Sequence, residues 1–338
     1  MSAQETACAI DVNDGKMLLA GRHGMTVFAV FRSHKILLPT GCGARGACGQ
    51  CKIMVREGNA GLFTDAEAKL ITEAERASGH RLACQIKLTG DLKVEIPEYV
   101  FVAREHEATL KNIIPLTHDI KRFSFALRPG DAIPHRAGQF MTLAGRIPGK
   151  TGLAMRCFSF ATQSSITDHV DIIVRKNPVG IMTPYLFEQA APGDAFKIIA
   201  PYGEFYLRNG TSPCIWIAGG SGLSPFLGML HDMIDSNAPR PVHLFFGAVM
   251  PQDLYYVELL RDLAERHDWF RFTPALSGPE HSEYCEDYGL ITDVVAKHVG
   301  DASRCEGYLC GSPGMIAACL KVLGEKGLPR DKIFFDRF

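Results

Sequence analysis

Apolar and polar positions alternate over residues 9–13, Asp14-Gly15 marks a turn, and residues 16–21 resume as a second strand. A short helix is expected from Thr26 to Arg32 and a strand over 51–58. Thr64, with Glu67 three residues on, forms a capping box that should open a helix running to about Arg76. Strands over 81–87 and 91–97 complete a small α+β unit. Residues from about 105 to 208 read as all-β instead, with strands at 119–128, 137–144 and 169–175 bounded by turn residues, which suggests a small barrel. Beyond 209 the pattern changes again. Buried runs at 214–219, 242–247, 270–274 and 307–310 alternate with helical stretches at 223–234, 254–266, 292–298 and 315–326. Such alternation predicts a parallel sheet covered on both faces.

With 338 residues the chain has room for two or three cores. A net charge of −1 with 22% charged residues offers no basic surplus for nucleic acid or an anionic membrane. The first residues lack a basic region followed by an apolar one, so no signal peptide is expected. No apolar run approaches the roughly 20 residues that span a bilayer. Eleven cysteines without a secretory signal point to a reducing, cytoplasmic setting and to metal ligation rather than disulfides.

Four of those cysteines are arranged for chemistry. Cys42, Cys48 and Cys51 lie in the run CGARGACGQC at 42–51, and Cys84 follows in LACQ at 82–85. Three thiolates on a glycine-rich loop plus one distant thiolate can wrap a two-iron, two-sulfide cluster, because glycine lets the backbone fold around inorganic sulfide and aim N–H groups at it. Structural zinc is the competitor, but zinc sites usually supply ligands as two C-x2-C pairs. The spacing here is C-x5-C-x2-C, one residue longer than the plant-type C-x4-C-x2-C.

Three further motifs point to a dinucleotide. In Arg156-Cys157-Phe158-Ser159 an arginine can neutralise a pyrophosphate, an aromatic can lie beside a ring, and a serine can hydrogen-bond a ring nitrogen. Downstream, Gly180, Met182 and Thr183 could place backbone N–H groups on a phosphate at a helix start. Gly219, Gly220, Gly222 and Pro225 sit between a buried strand and a helix, where a pyrophosphate can approach the backbone. Cys310-Gly311 ends a later strand, where ligands bind in open parallel sheets. The chain finishes in FFDRF, with Phe338 last.

Taken in order, these motifs resemble the ferredoxin-reductase-like flavoproteins that carry an N-terminal plant-type ferredoxin domain. The resemblance implies a multidomain fold: a β-grasp α+β ferredoxin domain (1–100), an all-β FAD-binding barrel (101–208) and an α/β parallel-sheet NAD(P)-binding domain (209–338). It implies Cys42, Cys48, Cys51 and Cys84 as ligands of a 2Fe–2S cluster. Arg156 would bind the FAD pyrophosphate, Phe158 flank the flavin and Ser159 hydrogen-bond its N5, with Gly180, Met182 and Thr183 as the flavin phosphate loop. Gly219, Gly220, Gly222 and Pro225 would form the nicotinamide-dinucleotide loop, Cys310 and Gly311 border the nicotinamide, and Phe338 cover the flavin until the nicotinamide displaces it. Cys157 and Phe158 replace the commoner small residue and tyrosine, and Val249 stands where many relatives have arginine.

The activity so implied is that of an NADH-dependent oxidoreductase passing electrons from NADH to FAD, to the cluster, and then to a separate protein. That acceptor is expected to be the oxygenase of a multicomponent system. A soluble relative of the flavin-bearing part of the sodium-pumping NADH:quinone reductase, whose cysteine run is similar, or an activator of another metalloenzyme would share these motifs. Arg45, Lys52 and Arg56 are the cations expected near an acceptor's docking surface.

Overall fold

Asn13 and Asp14, both with φ of +52°, and Gly15 at +83° reverse the chain between β1 (Ala7–Val12) and β2 (Met17–Arg22). The computed structural model describes residues 7–236, 239–279, 285 and 287–337. Helix α1 (Val27–Ser33) begins where the Thr26 hydroxyl oxygen accepts the Ala29 N–H. Then come β3 (Lys52–Gly58), α2 (Asp65–Leu70), α3 (Glu73–Ala77), β4 (His80–Leu82), β5 (Leu92–Glu95) and α4 (Tyr99–Val102). The strands form one mixed sheet, order β2-β1-β5-β3-β4, in which β1 and β5 are parallel and the other neighbours antiparallel. Val27, Phe28, Val30 and Phe31 of α1 pack on its apolar face with Ile10, Leu19, Ile53 and Val94.

Two expectations fail here for local reasons. The helix predicted from Thr64 to Arg76 is two helices. Ile71 is extended and buried, and Thr72 opens a second capping box with Glu75. The strand predicted over 81–87 stops at Leu82. Ala83 N–H bonds Cys51 O and Gln85 N–H bonds Leu82 O, so Cys84 sits on a turn.

The middle segment runs β6 (Arg104–Pro115), β7 (Ile120–Leu127), β8 (Phe140–Gly145), β9 (Ala154–Ser159), β10 (His169–Arg175), α5 (Met182–Glu188) and β11 (Ala195–Tyr202). Its six-stranded sheet has the order β10-β7-β6-β11-β8-β9. The last segment alternates as expected: β12 (Cys214–Gly219), α6 (Ser224–Ser236), β13 (Val242–Ala248), α7 (Val257–Arg266), β14 (Phe270–Leu276), β15 (Asp287–Tyr288), α8 (Ile291–His298), β16 (Glu306–Gly311), α9 (Pro313–Glu325) and β17 (Ile333–Arg337). Its sheet, order β15-β14-β13-β12-β16-β17, is parallel throughout. Helix α7 starts three residues later than predicted because Tyr256 takes the left-handed conformation, φ +57°. No helix among the described residues is long and apolar enough to cross a membrane.

Contacts divide the chain into two compact units. One contains residues up to Ala108 with Phe140–Phe158 and Ala195–Gly203; the other contains Thr109–Gln139, Ser159–Asp194 and the chain from Glu204 on.

In the first unit one buried carboxylate ties α2 to β4. Glu67 accepts Arg81 Nε at 2.7 Å, the Leu82 N–H at 3.0 Å and the Thr64 N–H at 2.9 Å. Burial pushes its carboxyl up, but Arg81 and the two N–H groups outweigh that and hold it below the ordinary range. A depressed folded value gives stability that is present above the ordinary carboxylate pKa and is lost as pH falls through the folded value. Glu67→Ala should therefore destabilise the protein by about 3–5 kcal/mol at neutral pH, by analogy with other buried pairs cut on one side. Urea unfolding measures this. The gap between variant and parent should shrink in acid, and a pH-independent gap would refute the ionic origin.

Candidate functional site

The first unit carries the cysteines. Buried Ile36 and Leu38 anchor the chain before the loop, and Gly43 and Ala44 (both φ +66°), Gly46 (+73°) and Gly49 (+72°) bend it. Position 46 suits glycine on two counts, its left-handed φ and the 3.3 Å that would separate a Cβ there from the Ala66 Cβ. The bends turn N–H groups onto sulfur: Gly41 N lies 3.3 Å from Cys48 Sγ, and Arg45 N lies 3.3 Å from Cys42 Sγ. Gln85 Nε2 reaches Cys84 Sγ at 3.5 Å.

The four thiols stand as two couples. A hydrogen bond from Cys48 holds Cys42 down to about 4, and one from Cys51 holds Cys84 down to about 7, in both cases against burial. The same bonds, together with burial, push Cys48 and Cys51 up. Among the described residues no group of three or more His, Cys, Asp or Glu side chains is placed to hold one metal ion. Zinc needs its four ligands around one centre. Two couples, with amides directed at the sulfurs, fit two irons that each take two thiolates.

The cations expected to face an acceptor are engaged within the chain. Lys52 Nζ pairs with Glu75 at 2.6 Å, Arg56 pairs with Glu95 through two 2.7 Å bonds, and Arg45 Nε donates to the Cys42 carbonyl at 2.7 Å. Arg156 projects from β9 exposed, with no ion-pair partner among the described residues, and Phe158 is half-buried.

The second unit carries Ser159 and the remaining candidates. Ser159 donates to Asp336 Oδ2 at 3.3 Å, while its carbonyl accepts the Ser224 hydroxyl. Desolvation pushes the Asp336 carboxyl up to about 6 despite the serine bond. Asp336 lies on β17 in register with Cys310 of β16, so Ser159, Asp336 and Cys310 are brought to one place. Burial pushes the Cys310 thiol well above its ordinary value, so it stays neutral. Gly222 meets the same strand. A Cβ there would stand 2.2 Å from the Cys310 carbonyl oxygen, which leaves room for glycine alone. Gly219 and Gly311 both pack on Met315, and Gly220 (φ +55°) lies beside the Arg175 guanidinium with its carbonyl held by Tyr255 OH at 2.8 Å. Pro225 is buried in the first turn of α6.

Gly180, Met182 and Thr183 flank the start of α5, which has no side-chain cap. The Thr183 hydroxyl is already used, donating to Asn177 O and accepting the Asn177 N–H, so any phosphate contact there falls to backbone N–H groups. Phe338 lies outside the described residues. Asp336, Arg175 and Tyr255 were missed by sequence reasoning. A charged residue inside an aromatic run was a usable signal for Asp336, whereas the other two are placed only by the tertiary fold.

Three family models match the chain: a 2Fe-2S iron-sulfur cluster binding domain over residues 10–89, an oxidoreductase FAD-binding domain over 107–206 and an oxidoreductase NAD-binding domain over 216–321. The reductase component of propane 2-monooxygenase from Rhodococcus jostii is 32% identical over 322 residues, 92% of this chain and 85% of that protein. One component of the Na(+)-translocating NADH-quinone reductase of Idiomarina loihiensis is 29% identical over 357 residues, covering 93% of this chain and 87% of that one. Among solved structures, the Amycolatopsis cytochrome P450 reductase GcoB superposes with a TM-score of 0.78 at 28% identity, over 98% of both chains. The chain thus binds FAD, NAD and a 2Fe–2S cluster in a three-domain layout.

Gly222→Ala should force the loop off β16 at a cost of about 1–3 kcal/mol and raise the KM for the nicotinamide dinucleotide about tenfold, with flavin and iron content unchanged. Steady-state kinetics with cofactor analysis checks this, and an unaltered KM would show that the loop does not seat the dinucleotide.

Proposed function

The chain belongs to the family of iron–sulfur flavoprotein reductases that includes the propane 2-monooxygenase reductase component, and from this we propose that it passes electrons from NADH through FAD and its 2Fe–2S cluster to the oxygenase of a multicomponent system. The observation that carries the reading is the pairing of Cys42 with Cys48 on the loop and of Cys51 with the distant Cys84, with the Gly41 and Arg45 amides lying on sulfur. Bound FAD supplies the conversion between a two-electron hydride and the single electrons a cluster accepts.

Within this reading Cys42, Cys48, Cys51 and Cys84 hold the irons. Arg156 neutralises the FAD pyrophosphate, Phe158 flanks the ring, and Gly180, Met182 and Thr183 present backbone N–H groups to phosphate. Ser159, held by Asp336, would hydrogen-bond the flavin N5. Gly219, Gly220, Gly222 and Pro225 seat the dinucleotide, and neutral Cys310 with Gly311 gives the nicotinamide an uncharged wall. Phe338 would cover the flavin until the nicotinamide displaces it. These groups would hold the reacting atoms at the roughly 3–3.5 Å that transfer requires, and would take no proton themselves. Domain limits at 1–100, 101–208 and 209–338 and a cytoplasmic location belong to the same reading.

The five-residue cysteine spacing and the likeness to the Idiomarina NADH-quinone reductase component favour a second reading, direct reduction of a quinone. Two measurements discriminate. Cys48→Ser should lose reduction of cytochrome c but keep NADH–ferricyanide activity, and loss of both would make the cluster structural. Organic-substrate oxidation should appear only when a partner hydroxylase is added, whereas rapid quinone reduction by the protein alone would favour the second reading.

Coenzyme choice follows from position 249. Val249 is exposed after β13, and no Arg or Lys occurs between Phe245 and Glu258 to meet a 2′-phosphate. Turnover with NADH should therefore exceed turnover with NADPH at equal concentration, and the reverse order would overturn the assignment.

A further inference from the structure

A run of hydroxyl and thiol groups, buried at Thr40, Cys42 and Thr142 and half-buried at Cys157, joins the cysteine loop to strand β9 inside the first unit. Cys157 stands between Arg156 and Phe158 on β9, with its Sγ 3.6 Å from Thr142 Oγ1 on β8. Thr142 is fully buried, and its hydroxyl oxygen receives the Thr40 N–H at 3.5 Å, the outer limit of hydrogen bonding. Thr40, also buried, has its hydroxyl oxygen 3.9 Å from Cys42 Sγ and accepts the Ala44 N–H at 3.1 Å. The loop backbone is close too. A Cβ built on Gly41 would stand 3.5 Å from Cys157 N, 3.6 Å from its Sγ and 3.7 Å from the Cys48 Cβ. Upstream, Tyr202 OH donates to the Leu37 carbonyl at 2.6 Å and fixes the chain as it enters the loop.

We propose that Thr142 and Cys157 are positioning residues for the internal electron step, clamping the Thr40–Cys42 corner of the cluster loop onto the strand that flanks the flavin. The proposal rests on the reading that FAD lies beside Phe158 and that the four cysteines hold the cluster. Its physical basis is that electron transfer weakens steeply with every through-space gap, and this corner offers contact in place of a gap. Each passage takes one electron from the reduced flavin and turns one ferric iron ferrous. Two passages, with release of one proton to water and two deliveries to the acceptor, return the flavin to its oxidised form. No bond forms or breaks at Thr142 or Cys157.

Chemistry at the two positions suits the role. Threonine offers one acceptor for the Thr40 amide and one polar contact for a thiol, which valine of the same shape cannot. With Thr142→Val the buried Thr40 N–H is left without its acceptor, and the corner is free to move away. The Cys157 thiol gives the Thr142 hydroxyl a weak hydrogen-bonding partner, which a small aliphatic side chain would not.

The test uses holoenzyme carrying Thr142→Val, Thr142→Ser, Cys157→Ala or Cys157→Ser. Flavin reduction by NADH in the stopped flow should match the parent in all four. Cluster reduction, followed by rapid-freeze electron paramagnetic resonance, should slow about tenfold in Thr142→Val and Cys157→Ala, within the range that a misplacement of about 1 Å produces. The two serine variants, which leave a hydrogen-bonding group at each position, should recover most of the rate. Independently of turnover, the Thr40 amide should exchange faster with solvent in Thr142→Val than in the parent while the melting temperature stays within a few degrees. An unchanged cluster-reduction rate in Thr142→Val overturns the proposal, as does a slowed NADH step, which would place these residues on the hydride side. Absence of flavin and cluster signals in the parent would instead defeat the underlying functional reading.

Discussion

Thiolate sulfur in a place that excludes water needs hydrogen-bond donors, and on a short loop only the backbone can supply enough of them. That requirement shapes the first hundred residues. It explains the left-handed bends at Gly43, Ala44, Gly46 and Gly49 and the amides of Gly41 and Arg45 lying on sulfur. It also explains why helix α2 must press on the loop through Ala66 and Leu70, which approach Gly46 and Gly49. Glu67 then ties that helix to the strand leading into Cys84, so the fourth thiol is held by a carboxylate far from the first three in sequence.

The dinucleotide end answers a different demand. Hydride transfer needs two rings held face to face, so its parts are rigid where the cysteine loop is contorted. Parallel strands β12 and β16 end together, and Gly222 lies so near the Cys310 carbonyl that the two cannot shift separately. Ser159 and Asp336 extend the arrangement by joining the end of β9 to β17. A carboxyl whose pKa sits near 6 keeps that bond sensitive to mild acid, while Cys310 beside it stays uncharged.

Much of this was legible because the chemistry sits on short, unusual runs. Clustered cysteines with glycine between them and the strand–helix alternation after residue 209 left few other interpretations. What escaped was decided by contacts distant in sequence. The 64–76 helix broke because Thr72 repeats the Thr64 signal and Ile71 is drawn into the core, a choice that periodicity cannot rank. Strand β6 went unseen because most of its twelve residues are exposed and do not alternate. Lys52 and Arg56 looked like free surface charges because Glu75 and Glu95, which neutralise them, lie 23 and 39 residues away. Thr142 carries no motif at all, and only its burial opposite Thr40 and Cys157 gives it meaning.

The glycine turn after β12 packs against Cys310, Met315, Arg175 and Tyr255. Val249 differs: its carbonyl is fixed by the Gly278 N–H at 2.8 Å, while its side chain is 58% exposed. Any redesign of coenzyme preference therefore has a permissive handle at the rim and a forbidden one at the turn. An added guanidinium at 249 would leave the main chain where it is, whereas lineages or engineers altering Gly222 would have to rebuild the neighbouring strand as well.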